Sequence, residues 1–450
     1  MSGMLFEKGP VKPSPSDVAG SSSGKPRLRV PQRNQVEMHW ASLDALLEAD
    51  HVARVVWTAV CGLNLGRWLN EIKAVEGNVG RNATDPRLLV ALWVYATLDG
   101  VGSAREIARL CTKHLAYQWL CGGVSVNHHS LSDFRSQSGD KWDDLLTQIV
   151  GSLMAEGLVT MRRVAQDGMR VRASSAKASF RSRGRLHQFL QDAREQVEAL
   201  KQLSEEAPDE LTKRQRAARE RAAAERAQRI EEAIRNCEEV QEQRNASAKK
   251  SCRKPTEARA STTDPEARVM QFSDGGYRPG YNVQYSTDTE AGVIVGVDTT
   301  NAGTDQDQLP PMLGQLYDRY GKIPLEALVD GGFASLTAID QAASADCKVY
   351  APLKEEQKQL RAGKDPYAKK KGDTEAVAEW RRRMGTASAK AIYQLRAQTA
   401  EWVNAVSRNW GFQQMPVRGQ AKCRTTALLY AITHNLLQAT KLRSKVEMTG

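Results

Sequence analysis

Between residue 181 and about residue 250 the chain is almost entirely Ala, Glu, Lys, Leu, Gln and Arg, a tract that no β-sheet absorbs. Its apolar residues step by four and three: Leu186, Leu190, Ala193, Val197 and Leu200 mark a first arm. After Pro208 a second arm carries Ile230, Ala233, Cys237 and Val240. Such a seam predicts two helices packed as an antiparallel coiled-coil hairpin. Segments on both sides read as β-structure, so the hairpin is expected to be an excursion from a sheet whose strands precede and follow it. Its arginines suit a solvated face, or an arm touching DNA or a second subunit. The polar, basic linker from Asn245 to Thr263 is expected to be mobile.

The flanking segments alternate as strands do. VAQDGMRVRA, from Val164, is the first, followed by residues 281–286, 292–298, 325–330 and 347–352, each short, β-branched and bounded by turns. A helix from Asp305 to Tyr320, with Asp305 as its cap and Gln308 three residues on, separates the third and fourth strands; Leu336–Ala343 separates the fourth and fifth. Strand, helix, strand, helix, strand predicts an α/β sheet with crossovers. The first three strands have no helix between the second and third, so that part is expected to be an antiparallel meander.

Ahead of the sheet, residues 1–36 are rich in Pro, Ser, Gly and Lys and read as a disordered basic tail. From His39 to about Val159 the apolar spacing is helical. Asp85 and Pro86 open one helix, expected to end near Gly100–Gly102. Ser103 and Glu106 form a capping box for the next, Ala104–Lys113, and Ser130 with Asp133 repeats that geometry ahead of Phe134 and Arg135. Short helices joined by glycine turns in a basic chain are compatible with a helix-turn-helix reader of DNA, for which Arg105 and Arg135 are candidate phosphate contacts.

Charge points the same way: 64 Lys and Arg against 53 Asp and Glu leave +11, which favours a polyanionic partner. The longest strongly apolar run, Leu88–Leu98, is about half of the roughly 20 residues a spanning helix needs, so no membrane is expected. No apolar run followed by a cleavage site opens the chain, which predicts a cytoplasmic location. Seven scattered cysteines without a C-x-x-C pair argue against disulfides and structural zinc.

Two acids stand at strand ends, Asp167 before Gly168 and Asp330 before Gly331 and Gly332. Ligands bind outside the carboxyl ends of strands in open α/β sheets, and two carboxylates facing one crevice suit a divalent cation. A third, Glu401, lies on a helix running from after Gly385 to about Asn409. Glu401 and Arg408 are seven residues apart, which sets them about 20° apart on the helix wheel. Tyr393 and Arg396 stand one turn apart, nearer the N-terminus. No His or Cys clusters with the acids, so oxygen-ligated Mg²⁺ or Mn²⁺ is the expected metal. Asp298, ending the third strand, is a geometric rival to Asp330; Gly331 and Gly332 favour Asp330 by leaving room for a phosphate or metal.

From about Arg27 to about Gln438 the chain resembles bacterial insertion-sequence transposases of the DDE type. The resemblance rests on an ordered series: DPRLLVALWVYATLDGVGSAREIARL, HHSLSDFR, VAQDGMRVRASS, DPEARVM with GYNVQYS, NAGTDQDQL, LVDGGFAS, and a Tyr-x2-Arg-x4-Glu-x6-basic signature followed by Arg418 and Gly419. It implies a ribonuclease H-like catalytic core with an inserted helical hairpin, preceded by an all-α domain. The domains would be a tail over 1–36, a DNA-binding domain over 37–160, the catalytic domain over 161–180 and 264–440, and the hairpin and linker over 181–263. The implied catalytic and metal-binding triad is Asp167, Asp330 and Glu401, holding two Mg²⁺ (or Mn²⁺) ions, with Tyr393, Arg396 and Arg408 as companions contacting DNA phosphates. Asp167 and Asp330 are 163 residues apart because the hairpin intervenes, whereas Glu401 follows Asp330 by only 71. Two positions depart from the pattern: Arg408 where Lys is usual, and Asn404-Ala405 where Phe-Gly is usual.

The function so implied is metal-dependent cleavage at the element's terminal inverted repeats and transfer of the cut strand into target DNA. The protein would act as a homo-oligomer on DNA, associated with the nucleoid in the cytoplasm. The alternative reading is a domesticated, non-catalytic DNA-binding protein using residues 37–160.

Overall fold

The sheet is built on one strand, β1 (Arg163–Arg172). Seven more follow: β2 (Phe180–Ser182), β3 (Arg259–Ser261), β4 (Arg268–Gln271), β5 (Tyr277–Asp288), β6 (Ile294–Thr300), β7 (Glu326–Leu328) and β8 (Lys348–Tyr350). This computed structural model describes residues 41–75, 82–206, 213–251 and 254–449; the tail expected at 1–36 and the break expected at Pro208 lie outside the described residues.

β5 runs antiparallel to β1 from Asp288 opposite Val164 to Gly280 opposite Arg172, and its other edge takes β6 and the short β4, both antiparallel. On the far side of β1 the pairing turns parallel, first to β7 and then to β8. The change of direction follows from the connections. A tight loop joins β5 to β6, whereas helices Leu309–Tyr320 and Leu336–Ser344 carry the chain between β6, β7 and β8. The meander and both crossovers match the sequence reading. β4 was not expected: its four residues alternate too briefly to register as a pattern.

Two short helices differ from expectation at their ends. The one capped by Ser103 stops at Leu110 rather than Lys113, because the chain turns at Cys111–His114 to start Leu115–Cys121. The next, His128–Ser136, begins before Ser130; Asn127 caps it, its side chain accepting from the His129 N–H. Asp85 and Pro86 open Pro86–Leu98 as predicted. That helix is buried on nearly every side, with Trp93 anchored by an indole N–H to Leu131 O at 3.1 Å.

From Leu43 onward the chain is one compact unit. The C-terminal helix Gln420–Thr449 packs along Gly139–Ala155 and β6 and buries Leu428, Ala431 and Ile432. Its Asn435 amide pairs with both the N–H and the C=O of Ile294, covering backbone groups that an edge strand leaves open.

The Ala/Glu/Lys/Arg tract forms two helices, Arg183–Glu206 and Lys213–Ser251. Arg183 pairs with Glu238, Arg194 with Glu231 and Gln196 with Arg226, an order that sets them antiparallel. Leu186, Leu190 and Ala193 are buried with Ile230, Ala233 and Cys237. The following segment corrects the mobile-linker expectation. Its first residues extend the second helix and Arg259–Ser261 pairs as β3 with β2. Arg244 and Gln241 hold the backbone of Glu257 and Ala258, and Ala258 and Ala260 are buried against the helices. Among the described residues no helix is long and apolar enough to cross a membrane.

Candidate active site

Asp167 lies in the middle of β1, not at its end. Strand alternation sends Gln166 and Gly168 to one face and Asp167 to the other, where the chain from Ala387 to Asn409 packs. A crevice still opens beside it because the parallel neighbour is short. β7 pairs Leu328 with Ala165 and stops there, so Asp330, two residues on, emerges level with Asp167 as an exposed side chain.

The late helix is not continuous. Ala387–Arg396 runs into a wider π-helical turn, Ala397–Glu401, before Trp402–Asn409 resumes the α-helix. In a regular α-helix residues five apart point about 140° away from each other; the wider turn brings Glu401 round toward Arg396. Arg396 Nη1 donates to Glu401 Oε1 at 2.8 Å and Nη2 to Asp167 Oδ1, also at 2.8 Å. One guanidinium thus joins an acid of the central strand to an acid of the late helix.

Asn404 completes the setting. Its buried side-chain amide donates to Asp167 Oδ2 at 2.9 Å, and the Gly168 N–H donates to Oδ1. The departure from Phe-Gly at 404–405 therefore places an amide donor on Asp167. Burial pushes the Asp167 carboxyl up, Arg396 and the Gly168 N–H pull it back, and nearby Asp305 and Asp330 push it up again, leaving it above the usual carboxylate value. Burial works against the Arg396 charge, but Asp167, Tyr393, Asp330 and Glu401 hold its pKa above the ordinary value. The half-buried Tyr393 phenol is raised, chiefly by burial.

Other expected residues lie elsewhere. Asp298 pairs through β5 with the Gly168 face, opposite to Asp167, and its carboxylate stands 3.5 Å from Arg424. Arg408 is exposed near the end of Trp402–Asn409, outside the Arg396 network, and Arg105 is exposed on its helix. Arg135 is turned inward. Its Nη1 donates to Gly102 O, its guanidinium lies 4.3 Å from the Trp93 ring centre, and burial pulls its pKa down to about 10. Arg135, expected to contact phosphate, lies on the buried side of His128–Ser136 with Leu131.

Asp305, expected to cap the helix that ends at Tyr320, does not; Gln308 holds the cap position. Leu309–Tyr320 starts four residues later, and the Asp305 carboxylate accepts from Asn282 Nδ2 at 2.6 Å and Gln284 Nε2 at 2.7 Å. Gly168 makes this possible, because a Cβ there would collide with Asp305, Gln284 and Asn282. The sequence holds only a faint trace of this group, in the acids of NAGTDQDQL.

Among the described residues no three Asp, Glu, His or Cys side chains are gathered closely enough to hold a metal ion. In kind, the acids around Asp167 suit a hard cation, since every donor is a carboxylate oxygen. In arrangement, Arg396 provides the positive charge shared by Asp167 and Glu401.

The family profile described as Transposase domain (DUF772) matches residues 41–137, and that described as Transposase DDE domain matches residues 250–436. A DDE domain implies a ribonuclease H-like fold, with which the mixed sheet agrees. No curated protein and no solved structure matches the chain.

Proposed function

Since this chain belongs to the insertion-sequence DDE transposases, and so is a DNA transposase, we propose that Asp167, Asp330 and Glu401 are the acids that carry its strand cleavage and strand transfer. The observation behind this assignment is the pair of bonds from Arg396 to Asp167 and Glu401, with Asp330 brought level with Asp167 by the register of β7 on β1.

Asp167 is the fixed member: both its oxygens accept hydrogen bonds from groups held by the sheet and the late helix. Asp330 and Glu401 are more exposed and stand toward solvent, where a DNA strand approaches. The three would hold two Mg²⁺ or Mn²⁺ ions, which when bound supply an activated water oxygen and neutralise charge on the scissile phosphate. Arg396 has a planar fork suited to a phosphate oxygen pair as well as to carboxylates, so it can pass from the acids to the DNA backbone. Tyr393, beside it, and the exposed Arg408 and Arg105 are assigned to DNA contacts. In the first step a water oxygen bonds to phosphorus as the P–O3′ bond breaks, leaving a free 3′-OH at the element end. In the second, that 3′ oxygen attacks a target phosphorus and displaces the target's own 3′ oxygen, so bond number is conserved.

The substrate is the element's terminal inverted repeats together with target DNA, bound by a homo-oligomer at the nucleoid. Residues 37–160 are assigned to DNA binding, 161–180 and 264–440 to catalysis, and the two long helices to an inserted hairpin. The test is cleavage and joining on DNA bearing the element's own ends with Mg²⁺. Wild-type protein is expected to perform both steps, and Asp167→Asn, Asp330→Asn and Glu401→Gln neither. Full activity of Asp167→Asn would reject the assignment.

A further inference from the structure

Arg135 raises a question that the triad leaves untouched. It is only 6 % exposed, yet no carboxylate pairs with it among the described residues, and its Nε is buried without a hydrogen-bond partner. Among the described residues its one hydrogen bond goes to the neutral Gly102 carbonyl, and its other support is the Trp93 ring. A buried cation with so little compensation is costly unless an anion completes its surroundings.

The space for one is present. Arg135 and Trp93 line a cavity of about 410 Å³ between the N-terminal helices, the end of β1 and the loop that follows Trp402–Asn409. Ser103 and Ser174 bring hydroxyl-bearing side chains to its wall, Thr426 lines it with an Oγ1 that already donates to Lys422 O, and no acidic side chain is among its lining residues. A guanidinium whose N–H groups are not all taken up among the described residues, in a cavity lined by hydroxyls and no acid, matches a tetrahedral oxyanion. We propose that this cavity is a phosphate-binding site, with Arg135 as its charged ligand. It is separate from the Arg396 network and does not depend on the assignment of the triad.

The phosphate has two possible sources, a free phosphate or the backbone of bound DNA, and one set of experiments distinguishes them. Inorganic phosphate is titrated into the full-length wild-type protein at constant ionic strength against chloride, following heat of binding and melting temperature. The same titration is made on Arg135→Met, which removes the charge, and on Ser174→Phe, which fills the half-buried edge of the cavity and leaves Arg135 in place. Saturable binding and a rise in melting temperature are expected for wild type, with at least a tenfold loss of affinity in both variants. No saturable binding by wild type, or equal binding by a folded Ser174→Phe protein, would overturn the proposal. If Arg135→Met does not fold, Ser174→Phe decides alone. Affinity for a short duplex of unrelated sequence is then measured on wild type and Ser174→Phe. A loss in the variant supports a backbone phosphate as occupant, and unchanged DNA affinity with lost phosphate binding supports a free phosphate.

Discussion

Asn404 donates its side-chain amide to Asp167 across 2.9 Å, tying together residues 237 positions apart in the chain. With Oδ2 held by Asn404 and Oδ1 by Arg396, the carboxylate has little rotational freedom, and its orientation is set before any DNA arrives.

Asn404→Leu should therefore leave the fold intact and slow strand cleavage roughly 10- to 100-fold, the usual cost of losing a group that orients a functional carboxylate. Cleavage rates at saturating DNA, with circular dichroism as the fold control, test this. An unchanged rate would show that Asn404 only fills space.

Arg396→Gln removes the one charge shared by Asp167 and Glu401. Breaking a fully buried pair costs about 3–5 kcal/mol, and the 55 % exposure of the Glu401 side chain reduces this, so a loss of about 2–3 kcal/mol in urea unfolding is expected. Arg396→Lys should recover much of that stability but not cleavage, since an ammonium lacks the planar fork. Lysine restoring the full cleavage rate would contradict the forked role.

Gly168→Ala puts a methyl group against the Asp305 carboxylate and the amides of Gln284 and Asn282. Overpacking of this kind costs roughly 1–3 kcal/mol. The same change made in an Asp305→Ala background should cost much less, because the closest obstruction is gone. Equal costs in both backgrounds would refute the crowding argument.

His434 gives a pH dependence of known sign. Burial holds its imidazole down to about 4 from an ordinary 6.5, and Nε2 stands 2.8 Å from Gly292 O. Between those values the unfolded chain binds a proton that the folded chain does not. The stability is therefore full above pH 6.5 and is lost as the pH falls toward 4, by roughly 3 kcal/mol at completion. Urea midpoints from pH 7 to 4.5 should fall less steeply for His434→Gln than for wild type. Parallel slopes would remove His434 from the acid response.

The two long helices leave and rejoin the body through β2 and β3, where Ser182 pairs with Arg259. Replacing 183–257 by a short Gly/Ser turn should thus close without strain and give a folded protein. Transposition holds two DNA ends together, and an exposed helical pair is suited to reaching a second subunit or the second end. Cleavage of a single end is expected to persist at reduced rate while joining of paired ends fails. Paired-end joining at the wild-type rate would make the helical pair a passive insertion.

Elements with a strong local period were legible in the sequence: β1, the β5–β6 meander, the two crossover helices, and the seam that buries Leu186 against Ile230 and Ala233. Alternation and heptad spacing are properties of neighbouring residues, so composition and order suffice to specify them. The order of the acids, and the expectation of a DNA-cutting enzyme, were likewise present in the chain of motifs. The site's geometry was not. The π-turn that swings Glu401 to Arg396, the inward side of Arg135, the capture of Asp305 by Asn282 and Gln284, and the bond from Asn404 to Asp167 each depend on a partner far away in sequence. Periodicity assigns a residue to a face, but which donor meets which carboxylate is settled only when sheet register and helix packing bring distant segments within about 3 Å.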